Sequence, residues 1–429
     1  MQRAHGIGGQ QDLPIPLELA ISGAVAALVI SFTVLAVAWR SPRYGKDDAG
    51  RRPNFAWIAP TFGMVVFLLA VASALFGKAS SINPFFGIFY VWLWVGIVPA
   101  SLLFGQFYRA ISPVRTIHRL LARLARTDPS RGSYTYPERL GVWPAAVGLY
   151  AFVWMELVNP HMAELSQART WAAVYVGVMI VGGAVFGERF FERADPFEVY
   201  SSLVARLSPW HRQEGRLRVR NPLVNLDAVV AVPGLAAVVG VLFGSTGFDS
   251  FSDTQVWTNF TLKHEVAPVV WNNLCLLAFC VGTTALFVVA CLLAGRGVDG
   301  SGLRRRDLPN VFAHSIVPII VGYMVAHYLT YFLEVGSRTI AHAGDPFSQG
   351  WNLLYLADFP LVVELSYHPT LLASIKVLAV VVGHVLAAVA AHERALQILP
   401  KERQLTGQLP LLVVMVGFTA GGLFLLFAP

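Results

Sequence analysis

The chain has 429 residues, 55% of them hydrophobic and 13% charged, with a mean hydropathy of +0.58, about half the charge of an average soluble domain. That composition excludes a water-soluble fold; at ~20 apolar residues per crossing of a ~30 Å hydrocarbon core it leaves room for roughly ten spans and no large soluble domain. The 32 Lys and Arg against 25 Asp and Glu give +7, an excess that cytoplasmic loops account for without a nucleic-acid partner.

In chain order, the first 14 residues lack a basic region followed by a short apolar stretch and a cleavage site, so the first span is expected to be retained. Ten apolar runs follow, over residues 17–39, 55–77, 85–108, 141–158, 170–187, 226–246, 268–294, 311–334, 369–391 and 409–427. They are continuous rather than alternating, which predicts helices and excludes an outer-membrane barrel. Lys and Arg gather in alternate connections: 26 of the 32 lie between Arg40 and Arg52, Arg109 and Arg139, Arg189 and Arg220, Arg296 and Arg306, and Arg394 and Arg403. The positive-inside rule makes those loops cytoplasmic and both termini external. The expected fold is therefore all-α, a polytopic bundle of ten spans in a bacterial plasma membrane. It forms one membrane domain over 1–429, with spans 1–5 in 17–187 and spans 6–10 in 226–427. Cys275, Cys280 and Cys291 share the seventh run and read as core thiols. Aromatics at span ends, such as Phe89 to Trp94 and Trp351, read as interfacial anchors.

A repeat marks the cytoplasmic ends of two spans. SPVRTIHRLLARL (Ser112 to Leu124) aligns without a gap to DPFEVYSSLVARL (Asp195 to Leu207), after FYRAI and FFERA respectively. A shorter echo, WRSPR, follows the first span. The pattern predicts parallel two-helix repeats whose Pro-started amphipathic helices lie on the inner leaflet.

Ionisable residues inside spans cost ~2.5 to 3.5 kcal/mol each on insertion scales and so mark candidate sites. They concentrate in runs 8 and 9. Tyr323, His327, Thr330 and Glu334 follow i, i+4, i+7 and i+11 on one stripe, and Lys376 and His384 share a broad face with Ala387, Ala388 and Ala391. At 1.5 Å per residue His327 and Lys376 lie at similar depth, ~24 and ~22 Å from the cytoplasmic end, while His314 and His392 lie near that end. The external segment from Ser337 to His368 adds His342, Asp345, Asp358, Glu364 and His368, and its apolar stretch predicts a short re-entrant or interfacial helix. The loop after span 6 adds Asp249, Asp253, His264 and Glu265. A metal site built from His327, His384, Glu334, His342 and Asp345 would suit Zn, Cu or Fe. Haem held by His314 or His327 with His384 is disfavoured, because the spacings give no level pairs.

Five stretches together, DPFEVYSSLVARLSP, FGSTGFDSFSDT, HSIVPIIVGYMVAHY, GDPFSQGWNLL and GHVLAAVAAHERAL, resemble a family of bacterial, mostly actinobacterial, multi-pass membrane proteins labelled fenitrothion hydrolase. The resemblance covers most of the chain. It implies an organophosphate-degrading activity and carries over no catalytic residues; neither an HxH motif nor a G-x-S-x-G elbow occurs. Three functions follow as expectations: a metal-dependent hydrolase of phosphotriesters, a metal-ion or proton transporter acting on a small molecule or ion, and a scaffold for lipid or other membrane subunits.

Overall fold

The computed structural model describes residues 9–44, 58–213, 216–264, 268–295 and 303–427. The basic stretch 45–52 and Glu265 lie outside these. Among the described residues eight helices, or nine segments if a bent pair counts as one, fit a bilayer by length and composition. They are α1 (Leu17–Ala38), α2 (Ile58–Phe76), α3 (Pro84–Val95 and Ile97–Phe104, bent by 49°), α4 (Leu165–Phe186), α5 (Leu235–Ser252), α6 (Pro268–Ala294), α7 (Arg305–Ala343), α8 (Pro369–Ile398) and α9 (Thr406–Phe427). Eight qualify singly and α3 as a bent pair. The chain is thus a multi-pass helical membrane protein; its described strands are one hairpin, Trp210–Gln213 with Arg216–Val219.

The structure revises several boundaries. The run 141–158 gives a helix of 15 residues, Trp143–Leu157, ~22 Å long and so shorter than the hydrocarbon core. The run 226–246 is broken at Pro233 and Gly234, where Gly234 takes φ 86°. Such a backbone suits glycine and stops the preceding turn, so α5 starts at Leu235 and runs to Ser252. Asp249, read from sequence as a loop residue, therefore falls inside a buried helix. The segment after α7 forms two short 3-10 turns, Leu353–Asp358 and Glu364–Tyr367, rather than a re-entrant helix; Leu354 and Tyr355 there are left-handed and exposed. Of the α3 aromatics read as interfacial anchors, three are interior. Phe89, Tyr90 and Trp94 are buried, with Phe89 5.4 Å from Phe152 and Trp94 5.3 Å from Tyr200 between ring centroids. Residues Gly87–Val95 of α3 form a π-helical stretch.

The chain divides into two compact units. The first holds the described residues of Gly50–Arg218 together with Thr330–Glu364; the second holds those of His5–Ala49, Val219–Leu329 and Leu365–Pro429.

In the first unit the two repeat segments adopt the same succession. Gly105 and Gly187, both at positive φ, end a span. A short helix follows, Phe107–Ile111 or Glu188–Ala194, and then a Pro-started helix, Pro113–Leu124 or Pro196–Val204. Ser112 and Asp195 cap the latter pair, accepting from Arg115 N and from Phe197 N and Glu198 N. Positions 83 apart in the alignment meet: Arg109 Nη2 lies 2.5 Å from Glu192 Oε1, and Arg115 donates to Glu198 at 2.5 and 2.7 Å. These pairs tie the two aligned segments to each other. They also correct the leaflet placement. Pro113–Leu124 keeps exposed leucines at 120, 121 and 124, but Pro196–Val204 is buried almost throughout.

In the second unit α5 packs along α6, and α8 packs against α1 and α9. Tyr323 and Ala326 of α7 share a core with Ala373 and Val380 of α8 and Leu423 of α9. The α7 and α8 backbones touch at glycines: a Cβ on Gly383 would sit 2.6 Å from Pro318 O, and one on Gly322 would collide with Ala379 O. Buried Glu393 accepts from Trp39 Nε1 at 2.9 Å and from Arg43 N and Tyr44 N at 2.7 and 2.9 Å, pinning the WRSPR segment to α8.

Candidate functional site

The buried polar groups of the second unit that converge do so where α5 passes α7. Asp249 and Ser250 are neighbours on α5; Tyr323 and His327 stand one turn apart on α7, rings stacked with centroids 6.2 Å apart, and Tyr328 follows. His327 Nε2 lies 2.9 Å from Asp249 Oδ2, and Tyr328 donates its hydroxyl to the same oxygen at 2.5 Å. Ser250 Oγ lies 3.3 Å from His327 Nδ1 and 2.7 Å from the Tyr323 hydroxyl. All five side chains are buried, Asp249 at 1% exposure.

Donor and acceptor roles follow from the chemistry. A carboxylate oxygen only accepts, so Nε2 carries a proton. With a neutral imidazole Nδ1 is then an acceptor, and one directed chain satisfies the group: Tyr323 O–H to Ser250, Ser250 O–H to His327 Nδ1, Nε2–H to Asp249.

Of the residues expected from sequence, Tyr323 and His327 belong to this cluster. The others are placed differently. Lys376 is buried on α8. His384 and His314 each donate Nδ1–H to a carbonyl of their own segment, Val380 O at 2.8 Å and Val311 O at 3.0 Å. His392 bridges Trp39 O and Gln408 Oε1, a structural tie beside Glu393. In the first unit Thr330 is buried, Glu334 and His342 are half-buried, and Asp345 accepts from Gln349 N and Gly350 N at 2.8 and 2.7 Å, which folds its own loop. As for the expected metal set, among the described residues no three His, Cys, Asp or Glu side chains are placed to share an ion. His327, its central member, has both ring nitrogens engaged.

Sequence reasoning missed Ser250 and Tyr328 and put Asp249 in solvent. A signal was present: DS at 249–250 sits about one turn beyond the expected span end, and starting the helix after Pro233-Gly234 brings it inside. No family model, curated protein or solved structure matches the chain.

Proposed function

We propose that this protein is a proton-coupled transporter of a bacterial plasma membrane, with the Asp249–His327 pair as its proton-binding element. The observation that carries this reading is the hydrogen-bond chain itself, in which buried side chains of two apolar helices link Asp249 to His327 and Tyr328, and His327 through Ser250 to Tyr323. An ionisable pair held in a span is the usual mark of a proton relay. Hydrolysis is the reading that the fenitrothion hydrolase resemblance favours, and Ser250, His327 and Asp249 do stand in the order of a nucleophile, base and carboxylate. Against it, Ser250 lies within a helix whose amides are committed to their own ladder, so no backbone donors face a developing oxyanion. Metal-ion transport draws less support, because the donors near His327 are already bonded to one another.

The proposed topology has ten crossings with both termini external. Arg189 is 3.2 Å from Glu138 and Arg119 is 2.7 Å from Glu188, so the connections 105–142 and 187–204 share one side. With α4 crossing between them, this reading has Trp143–Leu157 carry the chain back the other way.

The test is reconstitution into vesicles with a trapped pH dye and an imposed pH gradient. Proton flux above that of protein-free vesicles is expected, reduced at least tenfold by Asp249→Asn and by His327→Gln. Flux equal to empty vesicles, or unchanged in both variants, overturns the reading. Fenitrothion turnover that is lost in Ser250→Ala while proton flux is absent would replace it with hydrolysis.

A further inference from the structure

The first unit contains a cleft of about 880 Å³ between α2, α3, α4 and the last part of α7, within the size range of sites that enclose a small molecule. Its walls are almost wholly apolar. Along α2 it runs from Gly63 to Leu75, ~18 Å at helical rise, close to the ~15 Å depth of one leaflet. Phe62 and Leu75 line it and are each more than half exposed, so the cleft opens onto the outer apolar surface. Its far end is closed where Gly63 abuts Ile111 O, an approach that no side chain at 63 would permit.

The polar groups on the wall leave one vacancy for a ligand. The Tyr108 and Tyr175 hydroxyls bond each other at 2.9 Å, and Tyr175 donates to Asp195 at 3.0 Å. Trp92 Nε1 donates to Gly336 O, and Ser337 donates to Glu334 O while accepting from Val362 N. Arg169, in the first turns of α4 at the Leu75 end, differs. It makes one hydrogen bond, 3.4 Å to Ala74 O, and among the described residues no carboxylate lies within 4.0 Å of it. It is exposed, and it is the one charged side chain on the wall. A ligand matched to this cleft is apolar along its length and anionic at one end.

We propose that the cleft is a binding site for an acidic diacyl phospholipid, which lays an acyl chain between α2 and α4 and sets its phosphate against Arg169. A basic residue at a membrane surface contributes ~1 kcal/mol towards an anionic lipid, about fivefold in affinity. That charge gives the site its headgroup preference, while the chain supplies most of the binding.

The experiment is native mass spectrometry of the full-length protein released from micelles containing equal phosphatidylglycerol and phosphatidylcholine of identical chains. One bound phosphatidylglycerol, retained about fivefold over phosphatidylcholine, is expected. Arg169→Gln is expected to keep a bound lipid with the preference gone, and Ala70→Phe, which fills the cleft, to lose both lipids while Arg169→Gln serves as the folded control. Equal retention of the two lipids by the wild type, a preference that survives Arg169→Gln, or a lipid still held by Ala70→Phe overturns the proposal.

Discussion

Arg115 and Glu198 are each 1% exposed and hold one another through two hydrogen bonds. Burying either charge alone is prohibitive, so removing one partner is far worse than removing both. Arg115→Leu is expected to cost about 3–5 kcal/mol, and Arg115→Leu with Glu198→Leu substantially less; thermal unfolding in detergent of the single and double variants measures the difference. Asp195 beside them is wholly buried, and burial together with the Glu198 charge pushes its carboxyl up to about 7, against the pull of its bonds from Tyr175 and two backbone amides. A carboxyl raised in the folded state favours the fold while protonated there, so its contribution is full below about pH 4 and is lost as pH rises to about 7. Asp195→Asn keeps the helix cap and should remove that slope: the stability difference between wild type and variant is expected to change between pH 4 and 7 and to be flat above. The sequence showed the equivalence of 115 and 198 but not their meeting. Opposite charges at aligned positions read as two separate lipid-facing faces until the fold brings the copies together.

The close approach of α7 and α8 depends on Gly322 and Gly383, where added side chains would meet the facing carbonyls. Small residues at such a crossing are what allow membrane helices to pack tightly. Gly383→Leu is expected to destabilise by roughly 1–3 kcal/mol through overpacking, and, by moving His327, to lower proton flux. Gly417→Ala, with nothing within 4 Å of its Cβ, is the control and should be neutral or stabilising; melting curves of the two variants make the comparison. Elements of this kind were legible because a bilayer asks only for length and apolarity, and eight helices meet that demand unambiguously. The site was not, because its legibility rested on where one helix began. A break at Pro233-Gly234 shifts α5 by about nine residues relative to the apolar run, enough to turn Asp249 from a loop carboxylate into a partner of His327. His384 was legible as buried but not as bonded within its own helix, since a hydrogen bond to the Val380 carbonyl leaves no trace in residue spacing.

At the scale of the whole chain, the surplus of positive charge and the ion pairs of the first unit bear on the same question. The loop charges alone call for an even number of crossings, whereas length alone yields nine. The discrepancy lies in Trp143–Leu157, too short by about 8 Å for a standard core. Glu138, Arg189, Arg119 and Glu188 hold the connections on either side of the 143–186 hairpin together, which supports the proposal that the short helix crosses. A short span is tolerated where protein shields it, and eight of its fifteen residues, Glu156 among them, are buried. With the native cysteines replaced, His161→Cys, at the turn between Trp143–Leu157 and α4, should react with a membrane-impermeant maleimide in intact cells. Ser130→Cys, in the basic connection before it, should react only after permeabilisation. Labelling of both from one side would mean that 143–157 does not cross, and the reverse pattern would invert the termini. The expected pattern alone accommodates both the clustered Lys and Arg and the ion pairs that join them.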